Sequence, residues 1–465
     1  QAAPDQFGVR LVRSTDRSYD KSSGNTQASI DYTWVQLTDD AAAKHPKLKS
    51  ALDKTETDLR KQMAKEFENL KSKAKTSAGK SGRTWSIEQK ELPVRADSDV
   101  FSTFTVVKEK QGTKSETSLV CSNFDSQTGK GIELADVIDT DDLPGLLAKA
   151  YAATYPDDPI SGFEEMVDGY SDGDYVWAVS RDGLNFYFAN EEDGSVLAVQ
   201  VLREGNEDSF TGDYADAADS FAVPVGEGAY AFDKLDDGET DLLSVSLGED
   251  ESSVTVSMNG KRAVGRFHAY AIEPVLVRTE KEGYYIYVSC SLDNDYQQLA
   301  VFDISEDTPV FLGLVQNAGF PKEFDSDTQA TMVTLPGNPD EFFLSESMDL
   351  LSTYDAARPY SVGDDGMPKA LSEWLYPNRE IELTVQNGFY ADAVDAQTDE
   401  IDEEGVKIAK GTELTIFRTD GKSAVDLKAK DGGIFRVDVD ASGGWPQTID
   451  GTDIQKLFDG IIFAG

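Results

Sequence analysis

The most specific chemistry this sequence offers is a loop of acids. Asp233-Lys-Leu-Asp-Asp-Gly-Glu-Thr-Asp241 places Asp233, Asp237 and Asp241 at the first, fifth and ninth positions, with Gly238 at the sixth. Oxygen ligands at such intervals, with a glycine bend between them, wrap a hard cation, so the stretch is a candidate Ca2+ loop. It departs from that pattern at Leu235, where Asp or Asn would stand third. The competing reading is a polar turn whose acids are solvated. No other cofactor is indicated.

Hydrolytic chemistry has less to build on. Two histidines are present, His45 and His268. His45 lies in Lys44-His-Pro46 at a helix start and is expected to face solvent. His268 lies in Arg266-Phe-His-Ala-Tyr270 and reads as a satisfied residue on a strand face. A triad built on either is not expected. There is no His-Glu-x-x-His and no Cys-x-x-Cys, the patterns that would speak for zinc. Carboxylates are different: with 86 Asp and Glu, a glycosidase pair held across a cleft stays open, but no pair stands out. Cys121 and Cys290 both fall in expected strands and read as free, buried thiols.

Bulk composition narrows the partners. The formal net charge is −43 over 465 residues, which repels nucleic acid and anionic membrane from the body of the chain. No run of 18 apolar residues is present to cross a membrane as a helix. A hydrophobic content of 39% indicates folded domains, and the length indicates several. The start, Gln-Ala-Ala-Pro-Asp, with few cysteines, reads as a trimmed chain of the bacterial envelope or exterior.

The elements that would hold these residues follow from periodicity. Residues 1–27 are polar and irregular and read as a tether, with one edge strand at Gly8 to Arg13. Leu48, Leu52, Leu59, Met63, Phe67 and Leu70 recur at helical spacing, so Lys44 to Gly79 is expected to be one long amphipathic helix. It is locally basic: Lys44 to Lys90 holds 13 Lys and Arg against 6 Asp and Glu. Strands are expected at Ile30 to Leu37, Thr84 to Leu92 and Val100 to Val107. Leu119 to Asp125 is another, followed by a tight turn at Thr128-Gly129-Lys130-Gly131. A helix from Leu143 and a hairpin from Asp174 to Phe188, turning at Arg181-Asp182-Gly183, come next. From 227 to 376 the chain reads as short strands and turns, a propeller fragment or a sandwich. From 377 to 465, alternating strands and turns such as Asp420-Gly421 resemble a small SH3-like barrel. The acidic run Asp392 to Glu404 reads as a solvated loop.

Within residues 28–226, one order of motifs carries a resemblance. Asn123-Phe124-Asp125 with Thr128-Gly129-Lys130 and Leu134 comes first. Trp177, Asp182-Gly183-Leu184 and Phe186-Tyr187-Phe188 follow, then a Tyr214 segment ending in Val223-Pro224-Val225. This order resembles a bacterial extracytoplasmic domain family of unknown function. Members form the outer part of a lysozyme-sensing anti-sigma factor and accompany a peptidoglycan deacetylase domain. The family's Tyr, Gly, Gly, Ala and His motif before the Asn-Phe-Asp strand is replaced here by Lys110-Gln-Gly-Thr-Lys-Ser-Glu-Thr-Ser118. A role for that loop, or a lysozyme contact, therefore does not carry over.

The expected organisation is α+β: a tether at 1–27, a helix-on-antiparallel-sheet domain at 28–226, an all-β domain at 227–376 and a small barrel at 377–465. The expected function is non-catalytic binding or sensing of a cell-wall glycan, envelope polymer or envelope protein. A carboxylate-based glycoside hydrolase and a structural scaffold are the alternatives. Asn123, Trp177 and Tyr187 are the residues to alter first, and core roles are expected of them.

Overall fold

Long hydrophobic alternation at the start of the chain makes a sheet at once. The computed structural model describes all residues except 1–3, 22, 77–83, 156–162, 191–193, 212, 213, 215, 227–229, 236, 282, 327, 464 and 465. Strands β1 (Val9–Tyr19) and β2 (Thr26–Leu37) pair antiparallel along their length. Residues 9–19 and 26–27 are thus strand rather than tether, and the expected edge strand Gly8 to Arg13 falls at the start of β1. Val9 and Val12 are buried, and β1 is flanked by β2 on one side and a strand Ala330–Thr334 on the other.

A short helix α1 (Asp39–Lys44) leads into α2 (Pro46–Thr76), whose expected continuation to Gly79 lies outside the described residues. Then come β3 (Thr84–Ala96), β4 (Val100–Gly112) and β5 (Lys114–Asp125). Because α2 carries the chain back across the sheet, β2 and β3 pair parallel, from Ala28 opposite Trp85 to Tyr32 opposite Gln89. β1 pairs antiparallel with both β2 and Ala330–Thr334, and β4 pairs antiparallel with both β3 and β5. The apolar stripe of α2 does what its spacing requires: Met63, Leu70 and Ala74 close over Ala28, Ile30, Tyr32 and Trp34 of β2 and Trp85 and Ile87 of β3.

By contacts the chain divides into two units. The first takes residues 1–290, 300–314 and 323–339; the second takes 291–299, 315–322 and 340–465. The expected border at 226/227 runs through a sheet, because Phe221–Pro224 pairs antiparallel with Ala271–Arg278. The later border falls near 340 instead of 377.

Besides the seven-stranded sheet, the first unit holds two further layers. Helix α3 (Leu143–Thr154) covers a three-stranded meander, Trp177–Val179, Gly183–Ala189 and Val196–Leu202. The second layer settles the sandwich-or-propeller alternative. A four-stranded sheet (Tyr230–Phe232, Asp241–Leu247, Ser253–Met258, Lys261–Arg266) shares one core with the sheet containing Ala271–Arg278 and Tyr284–Ser291. Leu243, Val254, Val256 and Met258 meet Leu276, Ile286, Val288 and Phe302. That is a sandwich.

In the second unit, strands Phe342–Met348 and Tyr354–Val362 pair antiparallel and share a core with a nine-stranded sheet. Seven of its strands run in order Ile401–Ile408, Phe389–Val394, Ile434–Asp440, Ala424–Ala429, Glu413–Thr419, Glu382–Val385, Phe458–Asp459, and Thr448–Ile449 and Thr452–Asp453 branch off beside Ile434–Asp440. It does not close into the expected SH3-like barrel. The acidic run lies at one edge of this sheet: Phe389–Val394 and Ile401–Ile408 form a hairpin, and residues 401–405 of its outer strand are exposed. The run is a hairpin, not a loop.

Candidate functional site

The residues singled out by the family-like motifs are structural joints of the first unit. The side chain of Asn123, near the end of β5, donates to Trp177 O at 3.0 Å and accepts from Val179 N at 3.0 Å, acting as a surrogate strand residue between two sheets. Asp125 accepts from Gln127 N, Thr128 N and Thr128 Oγ1 at 2.7–3.0 Å and so shapes the turn after β5. At that turn Gly129 has φ +66°, and a Cβ there would sit 2.5 Å from Lys47 O; only glycine fits so close to the first turn of α2. Trp177 and Tyr187 are buried, Tyr187 stacked on Phe104 at 3.8 Å between centroids.

The candidate Ca2+ loop is a turn that satisfies itself. Asp233 is buried and its carboxylate accepts from Asp237 N (3.2 Å) and Gly238 N (2.9 Å). Asp237 accepts from Glu239 N, and Asp241 from Lys234 N and Asn259 Nδ2. Among the described residues, no three His, Cys, Asp or Glu converge as a metal set; Asp236 lies outside them.

His45 is buried, not exposed: it forms the joint between α1 and α2, with its ring 4.9 Å from Phe7. His268 is exposed and sits just beyond the strand Lys261–Arg266 rather than on it. One short pattern passed over in the sequence, Gly169-Tyr-Ser-Asp-Gly173, has the spacing of a nucleophile elbow. An elbow needs a strand before the serine and a helix after it. Ser171 instead follows the helix Phe163–Asp168 and starts a single 3-10 turn, its Oγ donating to Asp174 Oδ2 at 2.8 Å. Cys121 and Cys290 are free thiols.

Buried charge marks the less legible features. In the first unit Arg95 and Asp97 are both buried and bonded at 2.6 Å. Arg95 also donates to the carbonyls of Tyr214 (3.0 Å) and Asp216, while Asp97 Oδ1 accepts from Asp99 N and Val100 N. This pair fastens the Tyr214 segment, whose Tyr214 has φ +61°. Nearby cavities of about 30 and 40 Å³ have room for little more than water. Glu91 of β3 stands where the parallel pairing with β2 has ended, and its Oε2 accepts from Val35 N at 3.3 Å. Burial pushes its pKa up, and the neighbouring Thr103 hydroxyl and the Val35 N–H only partly offset the shift.

The second unit carries the richest arrangement. Arg418, Asp426, Arg436 and Asp392 are cross-strand neighbours in one row over four strands. Alternation from Leu414 and Ile416 would send Arg418 into the core. A bulge between Ile416 and Arg418 turns it to the face of Asp426. Arg418 Nε meets Asp426 Oδ2 at 2.6 Å and Arg436 Nε meets Oδ1 at 2.8 Å. Both guanidiniums also reach Asp399 Oδ1, at 2.8 and 2.6 Å. Trp374 caps them, 4.1 and 4.5 Å from its ring centroid to the two guanidinium carbons. Burial works against the charge of Asp399, but the hydrogen bond and charge of Arg436, with the charge of Arg418, outweigh it and hold its pKa below the usual range. Beside this row Tyr376, 41% exposed, stands edge-on to Phe417 at 5.7 Å, and Lys428 Nζ lies 5.6 Å from the Phe417 ring. The patch offers aromatic surface, fixed guanidinium and carboxylate groups, and, in Asp399, an acid held in its ionised form.

No family model matches this chain, and no curated protein does. Among solved structures, it is similar to a DUF3298 family member from Bacteroides fragilis, with 11% identity and a TM-score of 0.32 over 45% of this chain and 96% of that one. It is also similar to a DUF3298 family protein from Pseudomonas aeruginosa, with 9% identity and a TM-score of 0.34 over 46% of this chain and 99% of that one. A likeness this faint carries no functional reading.

Proposed function

We propose that this protein is an exported, non-catalytic component of the bacterial cell envelope that holds a cell-wall glycan on the aromatic face of its second unit. The observation that carries the reading is the set of Tyr376 and Phe417 rings beside the Trp374-capped Arg418–Asp426–Arg436 row. Apolar sugar faces stack on such rings, and planar charged groups held in place by one another hydrogen-bond hydroxyls without reorganising. A glycosidase acid must carry its proton near neutral pH. Asp399 is held in the opposite state, and the raised carboxyl of Glu91 stands within a sheet without a second acid bonded to it. The Ca2+ loop is not part of this site.

A pull-down of purified wall fragments tests the proposal. Retention that survives moderate salt is expected from the wild type. Loss of retention is expected for Tyr376→Ala/Phe417→Ala, with an unchanged urea midpoint. No retention by folded wild-type protein would sink the reading, and release of reducing sugar would replace it with hydrolysis.

A further inference from the structure

Helix α2 sorts its cations by partner. Its apolar stripe faces the sheet. On its flanks, Lys49 pairs with Asp53 at 2.5 Å, Arg60 with Glu56 at 3.4 Å, and Lys71 with Glu68. Lys73 donates to Gln111 at 3.1 Å, and Arg60 also lies over the Trp34 ring. Four other lysines, Lys47, Lys54, Lys61 and Lys75, recur at intervals of seven or fourteen residues, and Lys65 falls on the same side. All five are exposed, and none has a carboxylate or other polar partner among the described residues. Asp58 and Glu68 are the acids on that side, and Glu68 is engaged by Lys71.

Such a stripe is unusual in this chain. Residues 44–90 carry a net +7 in a protein of net −43, so the remainder carries −50. In so acidic a molecule, lysines left unneutralised while their neighbours are paired form a basic strip that an anion can approach. Seven residues of helix span about 10.5 Å, so the strip from Lys47 to Lys75 is about 42 Å long. Lysine is a point charge on a flexible stem and makes no bidentate fork. A row of such charges suits a flexible chain of evenly spaced oxyanions better than one shaped group.

We infer that the solvent face of α2 is a binding strip for a linear polyanion of phosphate or phosphodiester type. It is independent of the aromatic face, so Tyr376→Ala leaves it intact and either site can fail alone.

Long-chain inorganic polyphosphate, labelled at one end, is the probe, titrated into the full chain at several salt concentrations. A glycerol-phosphate polymer forms the second arm, so that the two phosphate sources are compared on the same strip. With about four lysines engaged, log affinity is expected to fall with log salt at a slope of about −3. The variant K47Q/K54Q/K61Q/K75Q is expected to bind at least about tenfold more weakly, with a flatter slope. The charge-matched variant K49Q/K71Q/K261Q/K430Q removes lysines already paired with Asp53, Glu68, Asp307 and Glu413, and is expected to bind within about twofold of wild type. Equal weakening by both variants would reduce the effect to net charge and overturn the strip. So would the absence of binding to either polymer at low salt. Far-UV circular dichroism of the 31-residue helix verifies that both variants are folded.

Discussion

The two units bury charge in opposite ways. In the first, Arg95 and Asp97 are a solitary pair, and every other bond they make goes to backbone. In the second, Asp426 is shared by two arginines, each of which also holds Asp399. A solitary pair fails completely when one partner is removed; a shared row keeps a cation on each acid. The first arrangement locks a chain segment in place. The second produces a rigid, charge-balanced surface on which an indole and two further aromatics can rest.

Removing one arginine from each region tests that difference. Arg95→Met leaves Asp97, at 0% exposure, with two backbone donors and no cation, and orphans the carbonyls of Tyr214 and Asp216. A loss of about 3–5 kcal/mol is expected in urea unfolding followed by the helical signal of α2. Arg418→Met leaves Arg436 bonded to both oxygens of Asp426. Its cost is expected nearer about 2 kcal/mol, the scale of hydrogen bonds to a charged group, in unfolding followed by tryptophan fluorescence. Equal costs would mean that Arg436 does not take over, and the contrast between the two regions would collapse.

The comparison also shows what a sequence can display. The apolar stripe of α2, the strands around Asn123 and the Gly129 turn are legible because each follows from local periodicity or from a turn residue with one physical use. Only the first half of β1 was legible, as the expected edge strand Gly8 to Arg13, because its exposed positions Arg13, Thr15, Asp16 and Arg17 mask the alternation of the remainder of an eleven-residue strand. The Arg418 row was hidden for a sharper reason. A single inserted residue at Phe417 reverses which face Arg418 occupies, and no local pattern announces a bulge. Asp399 looked like one acid in an acidic run, and only the hairpin brings it to Arg418 and Arg436. Sequence separation, not chemistry, concealed the patch: Trp374, Asp399, Arg418, Asp426 and Arg436 span more than sixty residues.

Protonation gives the subtlest version of the contrast, because the two regions should answer pH with opposite sign. Glu91 has a raised pKa in the folded chain, caused first by burial, so the native state holds its proton over a range where the unfolded chain has released it. Its contribution is fully present below the ordinary glutamate value and is lost as pH rises through the raised value. Asp399 has a lowered pKa: burial opposes its charge, but Arg436 and Arg418 prevail. Its contribution is present above the ordinary aspartate value and is lost as pH falls through the lowered one. Urea midpoints measured across the acid range should therefore separate the variants. Glu91→Gln fixes the neutral form and keeps an acceptor for Val35 N, so it should gain on wild type as pH rises. Asp399→Asn removes the charge both guanidiniums share, so its deficit should be largest near neutrality and shrink towards acid. Parallel profiles for the two variants would mean that neighbouring cations, and not burial alone, govern both acids.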